Sequence, residues 1–495
     1  MLRPGKSQRM TLRALLRLRV VLLSLAFVFL LELAIGMAIP PTNAVMESII
    51  CRQMHPDVFP PKPNPGDGLL PPPPGPPIPK HDFMDGMRQM TVKGRLTYFV
   101  GGLVLADDPV CKGPDVQGYL AMLRGWQVTF DCLPGILTTV PYGVVSDRWG
   151  RTPVMAMSFG GLALSGIVGG GGTVIVSMFY TVLADVVPND ERATVFFQLA
   201  ATFLASQMVA GPLGGAMMVR NPWIPLITSV VLLIVATLGV SILPETVHLH
   251  DRKGTDQEAA AEDDGIPKMT KLLHKARTSL DEVWDFVLGN KSMAVLILSF
   301  VFVILGRFVS ELLLQYATDR YGWSWSRASM VLSIRNAGSL MMLLAILPAL
   351  SWLCLQRWSM TGMAKDLWIA RWSGVVQIIG SLIIAGAVNG SLFSTGLVWL
   401  ALGSGMSSSI RSLLNTLVEE HHVGTVNSLV GFMEGLGVII AGPLLAKSLS
   451  VGLHLGGGWI GLPFITGALF FTVSTTIMWV FRLPNDPRGS VVPSC

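Results

Sequence analysis

Charged residues are scarce in this 495-residue sequence: 14% are Asp, Glu, Lys or Arg, whereas 51% are hydrophobic. Soluble globular domains carry about 25% charged residues, so the composition excludes a water-soluble enzyme and a disordered chain. The 36 basic and 31 acidic side chains leave a net charge of only +5. The basic residues are scattered, which argues against a nucleic-acid partner. The composition therefore predicts a multi-pass protein of the lipid bilayer.

Several signatures of chemistry are also missing. The five cysteines form no CxxC pair and have no metal-ligand spacing. His421 and His422 are adjacent, but we interpret them as an exposed polar turn. There is no GxxxxGK[ST] phosphate loop, which disfavours an ATP-driven pump, and no HExxH motif or nucleophile elbow. We therefore predict no metal, no cofactor and no enzymatic activity.

Long apolar runs fill most of the chain, and about 20 such residues can cross a bilayer as a helix. Residues 1–19 hold six basic and no acidic side chains, which places the amino terminus in the cytosol. A basic start before an apolar run also resembles a signal peptide, but the length of the run favours a first span. The clear spans are 20–39, 128–145, 193–219, 223–243, 293–317, 328–353, 368–388, 392–410, 423–446 and 459–481.

The apolar segment 154–187 makes the count uncertain, since a single crossing gives about 11 spans. Cytosolic loops are expected near Arg151 and at 244–292, so four crossings are needed between them and only three are clear. A helix of 34 residues reaches about 51 Å, too little for two full crossings. Either two short helices form there, or the coding sequence lacks part of a span and yields an inactive product.

A weak internal repeat suggests two related halves, because Ala-Gly-Pro-Leu at 210–213 recurs at 441–444. We predict an amino-terminal half at 1–243, a cytosolic linker at 244–292, a carboxy-terminal half at 293–481 and a tail at 482–495. The amino-terminal half includes an external, proline-rich loop at 40–127. Cys51 and Cys111 lie in this loop, where an oxidising exterior permits a disulfide between them.

The most specific local pattern follows the second predicted span. It consists of Gly143, Asp147, Arg148, Gly150 and Arg151. This spacing resembles the signature of the major facilitator superfamily, G-x-x-x-D-R-x-G-R-[KR], although Thr152 stands at the last basic position. Arg192, near the start of a later span, is the expected partner of Asp147. An Asp–Arg cluster of this kind can hold the cytosolic side closed in one state; the alternative is a basic turn that only fixes orientation.

The whole chain resembles a group of fungal major facilitator proteins, except at 53–110 and near residue 169. The resemblance lies at 50–52, 123–127, 140–143, 184–188, 221–225, 321–325, 402–405 and 434–437. It implies an all-α major facilitator fold of two six-helix halves, with a monomeric protein as the expected form. It also implies secondary transport of a small organic solute by alternating access. A membrane receptor or sensor without net flux is the alternative.

Ionisable groups inside spans are costly and by default face the bundle interior. The candidates are Glu32, Asp131, Arg307, Glu311, Arg335 and Glu434. Arg307 and Glu311, four residues apart on a helix, could satisfy each other. Glu32 and Asp131 are expected near the external ends of their spans, and Arg411 is expected to anchor to headgroups or a loop. We therefore favour Glu32, Arg335 and Glu434 for solute binding or proton coupling. The GPLGG run at 211–215 favours a kinked, close-packed helix over an antiporter motif.

Overall fold

The computed structural model describes residues 6–55, 97–100, 103–106, 109–149, 151–163, 171–187, 189–240, 243, 291–417 and 423–483. The amino-terminal half consists mainly of helices. They are α1 (Lys6–Met54), α2 (Pro114–Trp149), α3 (Arg151–Ala163), α4 (Gly171–Val186), α5 (Asn189–Arg220) and α6 (Trp223–Val240). Between α1 and α2 lie an antiparallel hairpin of β1 (Thr97–Val100) and β2 (Leu103–Ala106) and a 3₁₀ turn at Pro109–Lys112.

The carboxy-terminal half has more interruptions within its membrane segments. Its helices are α7 (Lys291–Arg307), α8 (Val309–Tyr321), α9 (Trp325–Met341), α10 (Leu347–Trp352), α11 (Gly362–Ala385), α12 (Gly390–Leu402), α13 (Gly405–Leu417), α14 (Val423–Leu455) and α15 (Leu462–Val480). A break at Phe308 separates α7 from α8, π-helical turns at Met342–Ile346 and Leu353–Arg357 flank α10, and a 3₁₀ turn at Gly457–Gly461 precedes α15. In the described part of the chain, eight segments are long and apolar enough to cross a membrane.

The first two helices are longer than the sequence predicts. α1 continues through Pro40 and Pro41 to Met54, and α2 begins at Pro114, so both ends of the predicted loop at 40–127 are helical. The prediction was wrong at these ends because proline usually ends a helix in water, whereas membrane helices tolerate it. As a consequence, Glu32 lies near the middle of α1 rather than near its external end.

The segment 154–187 contains two short helices and not one crossing. α3 has 13 residues and α4 has 16, which correspond to about 20 and 24 Å, and the two helices contact each other. Each is shorter than the roughly 30 Å hydrocarbon core. The first of the two sequence-based alternatives therefore describes this segment: within the described residues, two short helices, α3 and α4, lie between α2 and α5. The other alternative, that the coding sequence lacks part of a span, stays a prediction.

The two halves meet along the helix pairs α2–α14 and α5–α9. At the first crossing, a Cβ added to Gly442 would lie 2.6 Å from the carbonyl oxygen of Gly125. At the second, a Cβ on Gly211 would lie 2.8 Å from the carbonyl oxygen of Ser329. Gly211 and Gly442 belong to the repeated Ala-Gly-Pro-Leu sequence, so the repeat marks two equivalent crossings. Small residues allow helices to approach closely in membranes.

The buried apolar residues form three cores with an asymmetric arrangement. One core is shared by both halves and includes Cys51 and Leu120 together with Tyr316. A second core contains only amino-terminal residues such as Phe179, and the third contains only carboxy-terminal residues such as Phe300. Among the side chains that the structure describes, the halves thus share a core at the end that holds Cys51 and have separate cores elsewhere.

Replacing Gly442 by leucine should force α2 away from α14. The new side chain would meet the Gly125 backbone, which cannot move aside as a flexible side chain does, and overpacking of this kind costs about 1–3 kcal/mol. We expect a lower melting temperature of the purified protein in detergent, measured by intrinsic fluorescence. Gly431→Leu is the matched control on the same helix, because a Cβ there meets no atom within 4 Å. Equal destabilisation by both variants would contradict this role of the crossing.

Candidate functional site

A cavity of about 160 Å³ lies between the two halves. α1 contributes Glu32, α5 contributes Gln207, and α8 and α9 contribute Glu311 and Arg335. The Gln207 amide donates a hydrogen bond to Glu32 Oε2 at 3.2 Å. Two of the predicted site residues, Glu32 and Arg335, are therefore brought together in one cavity by opposite halves of the protein.

A second cavity, of about 200 Å³, adjoins the first and shares Ser310 and Arg335 with it. Arg307, at the end of α7, also lines this second cavity. The Arg335 guanidinium donates to Ser310 Oγ at 3.3 Å and to Asn336 Oδ1 at 3.0 Å. The Arg307 guanidinium donates to Ser407 Oγ at 3.3 Å. Both arginines are thus held in place by neutral oxygen atoms.

The charged groups of the two cavities do not neutralise one another by direct contact. Within the described residues, no ion pair joins Glu32 or Glu311 to Arg307 or Arg335. The i, i+4 pair considered between Arg307 and Glu311 is therefore not formed. The helix is interrupted at Phe308, and Arg307 turns toward Ser407 instead. The cavity consequently presents both positive and negative groups to a solute.

Glu434 occupies a different environment from the other two candidates. Arg411 Nη2 lies 2.9 Å from Glu434 Oε2, and the Arg411 guanidinium also lies over the Phe300 ring. Neither Arg411 nor Glu434 lines the two described cavities. The expectation that Arg411 anchors to headgroups or a loop is therefore corrected: it joins α13 to α14.

The Asp–Arg motif can be placed only in part. Gly143, Asp147 and Arg148 lie on α2, but their side chains are outside the described residues, as are Gly150 and the side chain of Arg192. Arg151, the first residue of α3, is buried. The predicted contact of Asp147 with Arg192 therefore stays a prediction.

A polar cluster that the sequence analysis missed lies at the shared end of the two halves. We call it the Glu47 cluster; it consists of Glu47, Lys112, Gln117, Gln315 and Trp325. Lys112 Nζ lies 2.7 Å from Glu47 Oε1, and the Trp325 indole donates to Glu47 Oε2 at 2.7 Å. Gln117 donates to Glu47, and Gln315 donates to the Gln117 carbonyl oxygen at 2.7 Å. Glu47 and Gln117 of the first half thus bind Trp325 and Gln315 of the second.

A disulfide fastens this end of the amino-terminal half. Cys51 and Cys111, 60 residues apart in sequence, are joined with a Cα–Cα distance of 5.3 Å. The Cys111 carbonyl accepts a hydrogen bond from the Gln117 side chain at 3.2 Å. The disulfide therefore holds the 3₁₀ turn that carries Lys112 next to α1, the helix on which Glu47 lies.

A polar cavity between two helical membrane halves is the arrangement of a solute carrier. The chain belongs to the Major Facilitator Superfamily, whose sequence profile it matches over residues 121–442. It is accordingly a multi-pass membrane protein and a secondary transporter.

Fungal transporters and a symporter of known structure illustrate the relationship. The chain is 33% identical to the efflux pump ustT of Aspergillus flavus over 74% of this chain and 77% of that protein. It is 27% identical to the MFS-type transporter avaK of Aspergillus versicolor over 94% of this chain and 93% of that protein. The crystal structure of a D-xylose–proton symporter superposes with a TM-score of 0.55 at 12% identity, covering 93% of this chain and 98% of that one. The last similarity concerns the fold alone.

Glu47→Gln should loosen the end of the protein at which the halves are joined. The variant loses the charge that Lys112 and Trp325 bind, and hydrogen bonds to a charged group contribute about 1.5–3 kcal/mol. We expect the Cys51–Cys111 bond to be reduced by a water-soluble phosphine about 10 to 100 times faster, measured by alkylation and mass spectrometry. Asp115→Asn is the control, because that side chain is 70% exposed. An unchanged reduction rate would contradict the role given to Glu47.

Proposed function

We propose that this protein exports a small organic solute by alternating access and uses a proton gradient to do so. The observation that carries the proposal is the asymmetry of the three cores. The halves share one core and the Glu47 cluster at one end, whereas the other two cores each belong to one half. Carriers of this architecture rock one half against the other around a central site, and a protein joined at one end is in one such state.

The side on which the cavity is reached follows from the topology. The basic amino terminus favours the cytosol, and the Cys51–Cys111 disulfide belongs to an oxidising compartment. The end with the Glu47 cluster is then external and closed, and the opposite, cytosolic end gives access to the cavity. A cavity loaded from the cytosol suits an exporter, and the relative ustT carries the name of an efflux pump.

Glu32 is the group to which we assign proton binding. It lies near the middle of α1, lines the cavity between the halves and accepts a hydrogen bond only from the neutral Gln207 among the described residues. A carboxylate inside a span is costly while it is charged, and a proton removes that charge. Protonation of Glu32 would therefore change the free energy of the state in which the cavity is closed to water.

The Asp147 motif would act in the opposite state. The external end is joined in this structure, so the cytosolic ends of the halves are the ends that must close later in the cycle. Asp147, Arg148 and Arg192 lie in the sequence where they could form charge-assisted hydrogen bonds at that end. The Glu47 cluster and the Asp147 motif would then form alternately, which is what alternating access requires.

Glu32→Gln should abolish coupling to the proton gradient. Glutamine keeps the shape of the side chain but cannot bind the proton, so at saturating solute net flux should fall to the level seen without a gradient while solute exchange continues. The measurement uses proteoliposomes under an imposed pH gradient, with a solute found by comparing metabolites of cells with and without the gene. Asp131→Asn is the control, since Asp131 lies outside the two cavities. Gradient-driven flux in the Glu32 variant would contradict the assignment, and saturable binding without flux in the parent protein would favour a sensor.

Asp147→Asn should slow the change between states and leave solute binding intact. Loss of charge-assisted hydrogen bonds of about 1.5–3 kcal/mol destabilises the cytosol-closed state, so we expect flux to fall about tenfold or more. Flux and equilibrium binding are measured on the same preparation, with Asp115→Asn at the other end as the control. A parallel loss of binding and flux, or no change in flux, would argue against the assigned role of Asp147.

A further inference from the structure

The charges that line the two cavities are divided between the halves. Glu32 is the contribution of the amino-terminal half, whereas Arg307, Arg335 and Glu311 come from the carboxy-terminal half. The formal charge is therefore −1 on one side of the cavity and +1 on the other. None of these four groups is joined to another by an ion pair in the described structure.

Some other charges in the described helices are neutralised by ion pairs, whereas Arg124 and Arg371 lie outside the cavities and bond to neutral oxygen atoms. Arg411 pairs with Glu434 at 2.9 Å, Lys365 pairs with Asp366 at 3.0 Å, and Glu47 pairs with Lys112 at 2.7 Å. Separated charges inside a membrane protein are costly and are associated with solute pathways. Unlike the groups in these ion pairs, the cavity groups have charge that no ion pair neutralises, and binding a charged solute requires such charge.

We propose that the cavity binds a zwitterionic solute, which carries one ammonium and one carboxylate group. Its carboxylate would bind the guanidinium of Arg335, with Arg307 alongside, and its ammonium would bind Glu32. This inference rests on the proposed transport function and specifies the solute class for the same site.

A zwitterion fits the charge distribution better than an ion of one sign. An anion would neutralise the carboxy-terminal side and leave Glu32 without a counter-charge, and a cation would leave the net positive charge of the carboxy-terminal side without one. Buried charges that lose or lack a partner are penalised. A zwitterion satisfies both sides and connects α1 to α9, so its binding would also draw the two halves together.

The size of the cavity is compatible with a solute larger than a single amino acid. The two adjoining cavities hold about 160 and 200 Å³ of accessible space, so together they reach only the lower end of the about 300–1,000 Å³ typical of small-molecule sites. The neutral donors and acceptors of Gln207, Asn336 and Ser310 line it as well, and these groups suit the amide bonds of a peptide-like compound. The class we infer is therefore an amino-acid-derived or short peptide-derived zwitterion.

The test uses leucyl-tryptophan in four matched forms: the free dipeptide, its carboxy-terminal amide, its N-acetyl derivative and the doubly blocked compound. Binding to the purified full chain is measured by isothermal titration at millimolar concentrations without a gradient. We expect the free dipeptide to bind about tenfold or more tightly than either singly blocked form, as loss of a charge-assisted contact implies. Comparable binding of all four forms, tighter binding of a singly charged form, or no binding of any form would overturn the proposal.

Two variants assign the charges to their partners. Arg335→Gln should bind the free dipeptide and its amide equally, and Glu32→Gln should bind the free dipeptide and its N-acetyl derivative equally. Arg335→Lys should restore part of the preference for the free carboxylate. Arg327→Gln is the control on the same helix, because Arg327 is exposed and lies over Trp323. The size-exclusion profile shows whether the variants fold like the parent. Unchanged preferences in both cavity variants would overturn the assignment.

The outcomes separate this inference from the transport function. Charge-selective binding without flux in proteoliposomes would support the zwitterion site and contradict transport. Flux of another solute without charge selectivity would support transport and contradict the zwitterion site.

Discussion

At two crossings the halves approach backbone against backbone. At the α2–α14 crossing, Gly125 and Gly442 face each other with no room for a Cβ on either residue, and Gly211 is similarly tight against α9. Because these contacts contain almost no side chain, α2 and α14 cannot move closer, and separating them exposes polar backbone. The freedom that remains is a change of tilt, so one end of the protein opens as the other closes.

The Glu47 cluster determines which end is closed in this structure. Glu47 is almost fully buried, and its carboxylate binds Lys112 on its own half and Trp325 on the other. If the halves separated here, the carboxylate would lose the indole donor and the apolar core around Tyr316 would be exposed. The cost of separating the halves at this end is thus both electrostatic and hydrophobic, and in the proposed cycle an equal gain at the opposite end would offset it.

Apolar runs and the motif around Asp147 were sufficient to predict the fold class, and the family match confirms it. The long-range pairings could not be predicted in the same way. Trp325 meets Glu47 across 278 residues, and no local pattern records such a contact. Glu47 was also overlooked, because the predicted helix ended before the prolines at 40 and 41. If the helix had been predicted to continue to Met54, Glu47 would have been recognised as a carboxylate inside a helix and thus as a candidate for a buried polar cluster.

The same physical rule explains why Glu434 and Glu32 differ, although both are span carboxylates. Charge in a membrane helix must be paired, hydrated or used. Glu434 is paired with Arg411 on an adjacent helix, so it stabilises the contact of α13 with α14 and has little charge to offer a solute. Glu32 has only the amide of Gln207 and faces a cavity. Sequence position cannot separate these cases, because what decides the role is whether a neighbouring helix brings a cation. An unpaired carboxylate is retained at a cost in stability, and under the proposed function a proton or a cationic group of the solute would offset that cost when it occupies the site.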